Sequence, residues 1–251
     1  MTAFAPDSPL VDEVRPAANH DERGAEPDIL LLHYTGMETA EGAVARLCEE
    51  ASKVSCHYVV LEDGRVLQLV PEGLRAWHAG VSSWEGETGV NARSIGVEIV
   101  NPGHEFGYRD FPLPQVDAII ALARDICARW RILPERVLAH SDVAPQRKED
   151  PGEKFPWDRL AAAGVGHWVA PTPIDDGGGL AEGEEGDPVE QLQTLLSLYG
   201  YGLEIDGRFG PVTAAVVRAF QRHFRPARVD GVADFSTCDT LRNLLAARPE
   251  R

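Results

Sequence analysis

Short apolar runs, separated by polar turns, recur along the first 170 residues of the chain. Runs of about four to eight apolar residues are typical of buried strands. A longer segment, 55–70, is apolar on both sides of Asp63-Gly64, a dipeptide that suits a tight turn. It therefore predicts a β-hairpin. The single-strand predictions are 28–35, 94–101 and 137–140.

Two segments between these runs change to a helical period. Apolar residues recur three and four positions apart over 40–52 and over 113–130, and Pro114 lies where a helix begins. Helices and strands that alternate in this way predict an α/β (α+β) domain, with a central mixed sheet flanked by helices.

The pattern changes again after residue 173. The stretch 174–190 is rich in glycine and acidic residues, which is typical of a linker. Beyond it, three amphipathic segments predict a small all-α domain of three helices. The predicted organisation is an N-terminal extension (1–27), an α/β domain (28–170), a linker (171–186) and a helical domain (187–247).

The helical segment contains a weak internal repeat. Residues 205–213 and 229–237 align at a 24-residue offset, and each begins with an apolar residue followed by Asp-Gly. Asp-Gly pairs favour tight turns, and the alternating acidic ligands of a calcium loop are missing. We therefore interpret both aspartates as turn formers. Asp187, and then Thr213 or Ser236, are the predicted helix caps.

Charge excludes some classes of partner. The net charge is −16, and −12 of it falls in residues 1–28 and 174–190, which we interpret as solvated, flexible chain. The remainder has no basic surface of the kind that binds nucleic acid, and no apolar run approaches the roughly 18 residues of a membrane span. We expect a monomer.

The N-terminus as written lacks a basic start, an apolar region and a lipobox-like cysteine. This predicts a cytoplasmic protein, with a periplasmic location possible only if a leader is missing. Four cysteines without a C-x-x-C pair fit a reducing compartment.

Candidate chemistry lies at the ends of two predicted strands and in the loop that follows the second. His33 and His140 end strands, and Asp150 follows in a proline-rich loop. Two imidazoles and a carboxylate can hold zinc while leaving a fourth position open. Spacing alone does not decide the matter, because a lone histidine at a strand end is more often structural.

Five motifs in order make a family resemblance. They are LLLHYTG, VSCHYVVLEDGRVLQLV, AWHAGVSSW, NARSIGVEIVN and AHSDVAPQRKEDPGEKFPW. Together they resemble the zinc-dependent N-acetylmuramoyl-L-alanine amidases of the type-2, AmiD/AmpD-like family over residues ~28–170. The segment from GDPVEQLQ onward resembles a peptidoglycan-binding domain. This order of domains resembles the AmiD-like branch.

The resemblance implies site residues and an activity. It makes His33, His140 and Asp150 the ligands of one zinc ion, with Glu98 and Lys148 as catalytic residues. The implied reaction is hydrolysis of the amide between the lactyl group of N-acetylmuramic acid, or of its 1,6-anhydro form, and L-alanine, in wall degradation, turnover or muropeptide recycling. Glu98 would move the proton from water to the leaving amine, and Lys148 would stabilise the oxyanion.

Several further residues have two interpretations. His78, Trp84 and Arg93 are candidate substrate contacts, as is Trp77. The alternatives are aromatic core packing for the tryptophans and a surface ion pair for Arg93. We expect the His57 side chain to lie in the core or to contact a metal-ligand residue without binding the metal itself. His20, His104, His167 and His223 carry no motif and are interpreted as surface or packing residues.

A non-catalytic muropeptide-binding protein is the alternative function. Loss of a zinc ligand is typical of such proteins, and here all three candidate ligands are present. A phage endolysin would share the chemistry. The sequence does not distinguish intact from 1,6-anhydro substrates, nor a C-terminal domain that binds glycan from one that only packs.

Overall fold

A computed structural model describes residues 4–248 of the chain. The strands are β1 (Glu13–Val14), β2 (His20–Glu22), β3 (Ile29–Tyr34), β4 (Tyr58–Val60), β5 (Val66–Gln68), β6 (Leu74–Ala76), β7 (Ser83–Trp84), β8 (Glu87–Thr88), β9 (Ser94–Ile99), β10 (Val137–Ala139), β11 (Gly179–Leu180) and β12 (Ala233–Asp234). The α-helices are α1 (Ala40–Cys48), α2 (Val90–Arg93), α3 (Leu113–Trp130), α4 (His140–Val143), α5 (Trp157–Ala162), α6 (Asp187–Tyr199), α7 (Pro211–Phe224) and α8 (Phe235–Ala246).

A six-stranded mixed sheet forms the centre of the fold, in the order β1-β5-β4-β9-β3-β10. Strands β4, β9, β3 and β10 run parallel, and β5 returns antiparallel to β4. The α/β prediction with a central mixed sheet is confirmed. Each predicted strand and the predicted hairpin are present at their expected places.

The central strand β3 is buried on both faces, which explains its unbroken apolar sequence. Leu30 and Leu32 pack in a core with residues of α3 such as Ile119. Ile29 and Leu31 point the other way, into a core that includes Leu196 of α6. Neither α3 nor any other helix within residues 4–248 combines the length and apolar character needed to cross a bilayer.

The C-terminal part holds the three predicted helices, α6, α7 and α8, and its repeat is genuine. Asp206 Oδ1 accepts the backbone N–H of Arg208, and Asp230 Oδ1 accepts that of Val232. Both aspartates therefore form turns, as predicted. In each copy a buried glutamine side chain donates to the turn aspartate, Gln193 at 2.9 Å and Gln221 at 3.1 Å.

The predicted helix caps were wrong. Asp187 is the first residue of α6 rather than its cap, and Thr213 lies within α7. Asp234, not Ser236, caps α8, because its Oδ1 accepts the Thr237 N–H at 2.7 Å. Glycine occupies the cap position of α6 and α7, and at α8 the residues Asp234, Ser236 and Thr237 are all possible caps, so residue type alone does not identify the position.

The two acidic segments are more ordered than their composition predicts. In the N-terminal segment, β1 pairs with β5 and β2 with β6, and the Arg23 guanidinium donates to the carbonyls of Ala92 and Leu74. In the predicted linker, β11 pairs with β12 of the C-terminal part. Strand pairing and polar side chains such as Arg23 provide hydrogen-bond partners for backbone groups in these segments. The mean hydropathy of a segment gives no information about such hydrogen bonds.

Candidate metal centre

Three adjacent parallel strands bring the predicted site residues to one edge of the sheet. His33 on β3 lies directly beside Glu98 on β9 in the strand register. On the other side of β3, Ala139 of β10 pairs with Leu32, so His140 follows immediately at the level of His33. The strands that bury the core thus align two imidazoles and a carboxyl group, although His33 and His140 are 107 residues apart.

Asp150 joins these histidines from the loop that follows α4. His33 Nδ1 lies 2.9 Å from His140 Nδ1 and 3.1 Å from Asp150 Oδ2. The third side of the triangle, His140 Nδ1 to Asp150 Oδ2, is 2.9 Å. All three residues are buried and form a group that could hold a metal ion.

The hydrogen bonds of the two Nε2 atoms, which point away from the triangle, determine whether the Nδ1 atoms of His33 and His140 carry a proton. Ser94 Oγ donates to the Val90 carbonyl, so it accepts from His78 Nε2, and His78 Nδ1 then accepts from His33 Nε2. His140 Nε2 donates to the carbonyl of Ala79. Both Nδ1 atoms are therefore lone pairs in the neutral imidazoles. Two lone pairs and a carboxylate that face each other at this distance repel unless a cation lies between them.

The pKa shifts favour the forms that bind metal. Burial is the main cause that lowers the pKa of His33 to about 4; the charge of His140 acts in the same direction, and Asp150 opposes it. Burial would raise the pKa of Asp150, but positive charge and N–H donors on His140 and His33, when those rings are protonated, hold that pKa well below its usual range, and a cation in the same place acts in the same direction. Neutral imidazole and ionised carboxylate are the protonation states that coordinate zinc.

The triangle fits a tetrahedral zinc ion. Bonds of about 2.0–2.2 Å place tetrahedral ligand atoms about 3.3 Å apart or slightly more, so each observed separation is within about 0.5 Å of that value. Three protein ligands leave one corner for water or substrate.

A cleft of about 460 Å³ opens beside this triangle. Glu98 and Lys148 line it, together with His140 and Asp150. Glu98 Oε2 is buried, and it accepts no hydrogen bond from any side chain or backbone group in the described range 4–248. Burial raises the pKa of Glu98 well above its usual value, the charge of Asp150 adds to this, and the charge of Lys148 opposes it. A buried carboxyl group whose oxygen is left unpaired is suited to accept a proton from a reactant.

The predicted substrate contacts Trp84 and Arg93 lie outside the cleft. Trp84 is 2% exposed and packs edge-on against Tyr201, with ring centroids 5.1 Å apart. Arg93 forms an ion pair with Asp28, the alternative that the sequence also allowed. Of the two candidate tryptophans it is Trp77 that lines the cleft.

His78 was predicted to contact substrate, and it does line the cleft, but its hydrogen bonds are with protein side chains. Both of its ring nitrogens are engaged by His33 and Ser94, so it is placed to orient a candidate ligand histidine and has no ring nitrogen free for substrate. The sequence signal that could have shown this is Gly96 in a buried strand. A Cβ atom there would lie 2.5 Å from the His78 ring. His57, fully buried, accepts the Gly96 N–H and is not a ligand.

Comparisons with known proteins agree with this geometry. The family model for N-acetylmuramoyl-L-alanine amidase matches residues 23–153, and a model for a peptidoglycan binding domain matches residues 185–241. The N-acetylmuramoyl-L-alanine amidase AmiD of Escherichia coli K12 is 40% identical over 222 residues, which are 83% of this chain and 79% of that protein.

Two solved structures are similar over nearly the whole chain. A complex of AmiD from E. coli with the substrate anhydro-N-acetylmuramic acid-L-Ala-D-γ-Glu-L-Lys has a TM-score of 0.74 and 38% identity, covering 90% of this chain and 92% of that one. AmpDh3 from Pseudomonas aeruginosa, in complex with anhydromuramic pentapeptide, has a TM-score of 0.75 and 30% identity, with both chains covered fully.

Proposed function

Because the chain belongs to the N-acetylmuramoyl-L-alanine amidase family, we propose that it is a zinc amidase that cleaves muropeptides between the muramoyl lactyl group and L-alanine. One observation supports the zinc assignment: His33 Nδ1, His140 Nδ1 and Asp150 Oδ2 converge as three lone-pair donors, and two of these residues, His140 and Asp150, line the cleft. Glu98 and Lys148 line the same cleft, which supports a hydrolytic rather than a structural metal site.

The side chains around the site divide the chemistry between them. A zinc ion, when bound, supplies Lewis acidity that activates water and polarises the scissile carbonyl group. Glu98 accepts a proton from the attacking water as the new C–O bond forms, and returns it to the alanine nitrogen as the C–N bond breaks. Lys148 donates a hydrogen bond to the carbonyl oxygen as negative charge develops there.

We further propose that 1,6-anhydro-muropeptides are substrates. The two similar structures described above hold anhydromuramic peptides, and a cleft of about 460 Å³ has room for a muramoyl unit with the first stem residues. Trp77 lines the cleft, and an aromatic side chain there is suited to pack against a sugar ring.

The C-terminal part is proposed to bind peptidoglycan, in keeping with its match to that domain family. We keep as proposals the domain limits that the sequence predicts: extension 1–27, amidase domain 28–170, linker 171–186 and binding domain 187–247. Non-catalytic binding, the alternative, finds no support in the structure because the ligand set is intact.

One digestion tests the proposed function. The protein is incubated with anhydro-muropeptides and, separately, with purified sacculi, and the products are identified by mass. We expect free stem peptides that begin with L-alanine, no cleavage after chelation, and recovery when zinc is restored. Intact anhydro-muropeptides in the presence of zinc would contradict the proposal.

The proposed compartment is the cytoplasm. All four cysteines, Cys48, Cys56, Cys127 and Cys238, are free thiols, which fits a reducing environment. Cell fractionation followed by detection of the protein tests this, and recovery in the periplasmic fraction would contradict it.

A further inference from the structure

Asp142 holds the start of the short helix that carries a metal ligand. It lies on α4, two residues after His140, and is fully buried. Its Oδ2 accepts the backbone N–H of Ala139 at 2.8 Å. This bond closes the turn at which the chain leaves β10, so it fixes the direction in which the His140 side chain leaves the backbone.

Two side chains of the C-terminal part complete the hydrogen bonding of Asp142. The Tyr201 hydroxyl donates to Oδ1 at 2.7 Å, and His223 Nδ1 donates to Oδ2 at 2.7 Å. Burial, and then the charge of Asp142, raise the pKa of Tyr201 well above its usual value, so the phenol remains a donor. The His223 ring also stacks on Trp157, with centroids 3.7 Å apart.

The position of α4 governs two of the three metal ligands. His140 is its first residue, and the backbone N–H of Ser141 donates to the Asp150 carbonyl at 3.0 Å. A tilt of α4 therefore moves an imidazole and a carboxylate together. Metal sites tolerate little of this, because ligand distances must be held within about 0.2 Å.

We propose that Tyr201 and His223 are positioning residues for the metal site, which act through Asp142 to fix the helix that carries His140. The C-terminal part then has a second role beside wall binding: it completes the scaffold of the catalytic centre. This inference rests on the proposed zinc site. It differs from simple interface packing because it requires the donor atoms, and not only the bulk, of the two side chains.

A pair of matched tyrosine variants tests the hydroxyl. Tyr201→Phe and Tyr199→Phe each remove one buried phenol oxygen from the same aromatic cluster, but the Tyr199 hydroxyl contacts His167 rather than Asp142. We expect Tyr201→Phe to raise the zinc dissociation constant and lower kcat about 10-fold, at the lower end of the effects of outer ligand partners, with KM unchanged. We expect Tyr199→Phe to leave zinc affinity and kcat unchanged. Both variants should lower the thermal midpoint of unfolding, and by similar amounts.

A second pair of variants keeps the inference testable if tyrosine changes impair folding. His223→Asn retains an N–H donor near the position of Nδ1. His223→Leu introduces a side chain of nearly the same shape as asparagine but without a donor, and both variants lose the stacked ring. We expect zinc affinity, measured by competition with a chromophoric chelator, to survive in the Asn variant and to fall about 10-fold in the Leu variant.

The outcomes separate the two claims. Equal zinc affinity within each pair, with tight binding by the unaltered protein, would overturn the positioning role and leave the amidase intact. No zinc binding by the unaltered protein would overturn the zinc site and this inference with it.

Discussion

At the scale of residues, the proposed chemistry depends on a few side chains, and most of them could be located in the sequence only through the family resemblance. His33 and His140 lie 107 residues apart, so spacing could not show that they meet. Register explains their meeting, because neighbouring parallel strands place equivalent positions side by side. The choice between Trp77 and Trp84 could not be made either, because the ring that packs on Trp84 belongs to Tyr201, far along the chain.

Lys148→Ala should separate catalysis from metal binding. Loss of one donor to a developing oxyanion costs about 100-fold or more in kcat, and the variant leaves the three proposed zinc ligands in place. Steady-state kinetics and zinc content measure the two effects. Lys154→Ala is the matched control, since Lys154 contacts the Tyr108 carbonyl instead. Turnover that stays at the unaltered level in Lys148→Ala would remove this residue from the mechanism.

Glu98→Gln should lower activity and raise stability together. Burial raises the folded-state pKa of Glu98 above 4.5, so its contribution to stability is present below pH 4.5 and is lost as pH rises through the folded pKa. A neutral amide avoids that loss at pH 7. We expect a higher thermal midpoint in zinc-free protein at pH 7, no gain at pH 4, and kcat reduced by about 100-fold or more. A lower midpoint at pH 7 would contradict this explanation.

At the scale of elements, the hydrophobic pattern predicted the long central elements well, but it did not predict the short strands at the sheet edges. The short apolar runs predicted β3 and β9, and the 3.6-residue period predicted α3, nearly at their observed limits. The strands β1 and β2 are two and three residues long, too short to show a period. Their backbone pairing depends on partners in β5 and β6 that the local sequence does not identify.

Gly96→Ala tests how closely β9 supports the metal centre. The added Cβ would meet the His78 ring at 2.5 Å and displace it from His33 Nε2. We expect the zinc dissociation constant to rise about 10-fold or more, as for loss of an outer partner. Gly73→Ala is the control, since nothing lies within 4 Å of its Cβ position. Equal zinc affinity in the two variants would show that His78 does not orient His33.

At the scale of the whole molecule, the two predicted domains share one hydrophobic core. Ile29 and Leu138 of the amidase part belong to the same buried cluster as Leu196 and Phe220 of the helical part. The acidic, glycine-rich stretch between them suggested independent units joined by flexible chain. Composition could not reveal the shared core, because it does not specify which apolar faces of the two parts pack together.

Unfolding should therefore occur as one cooperative transition. We expect calorimetry to show a single peak, and Leu196→Ala, which empties a fully buried site, to shift that whole peak by the equivalent of about 2–5 kcal/mol. Exposed Leu198→Ala on the same helix is the control. Two separate peaks, of which only one moves in Leu196→Ala, would show that the parts fold independently.

Zinc content, measured per chain by elemental analysis, tests the central claim most directly. We expect one zinc ion in the unaltered protein and almost none in Asp150→Ala, which lacks one of the three converging atoms proposed as ligands. Glu149→Ala, at an exposed neighbouring position, should retain the ion. Full zinc occupancy in Asp150→Ala, or no zinc in the unaltered protein, would show that these three residues do not form a zinc site.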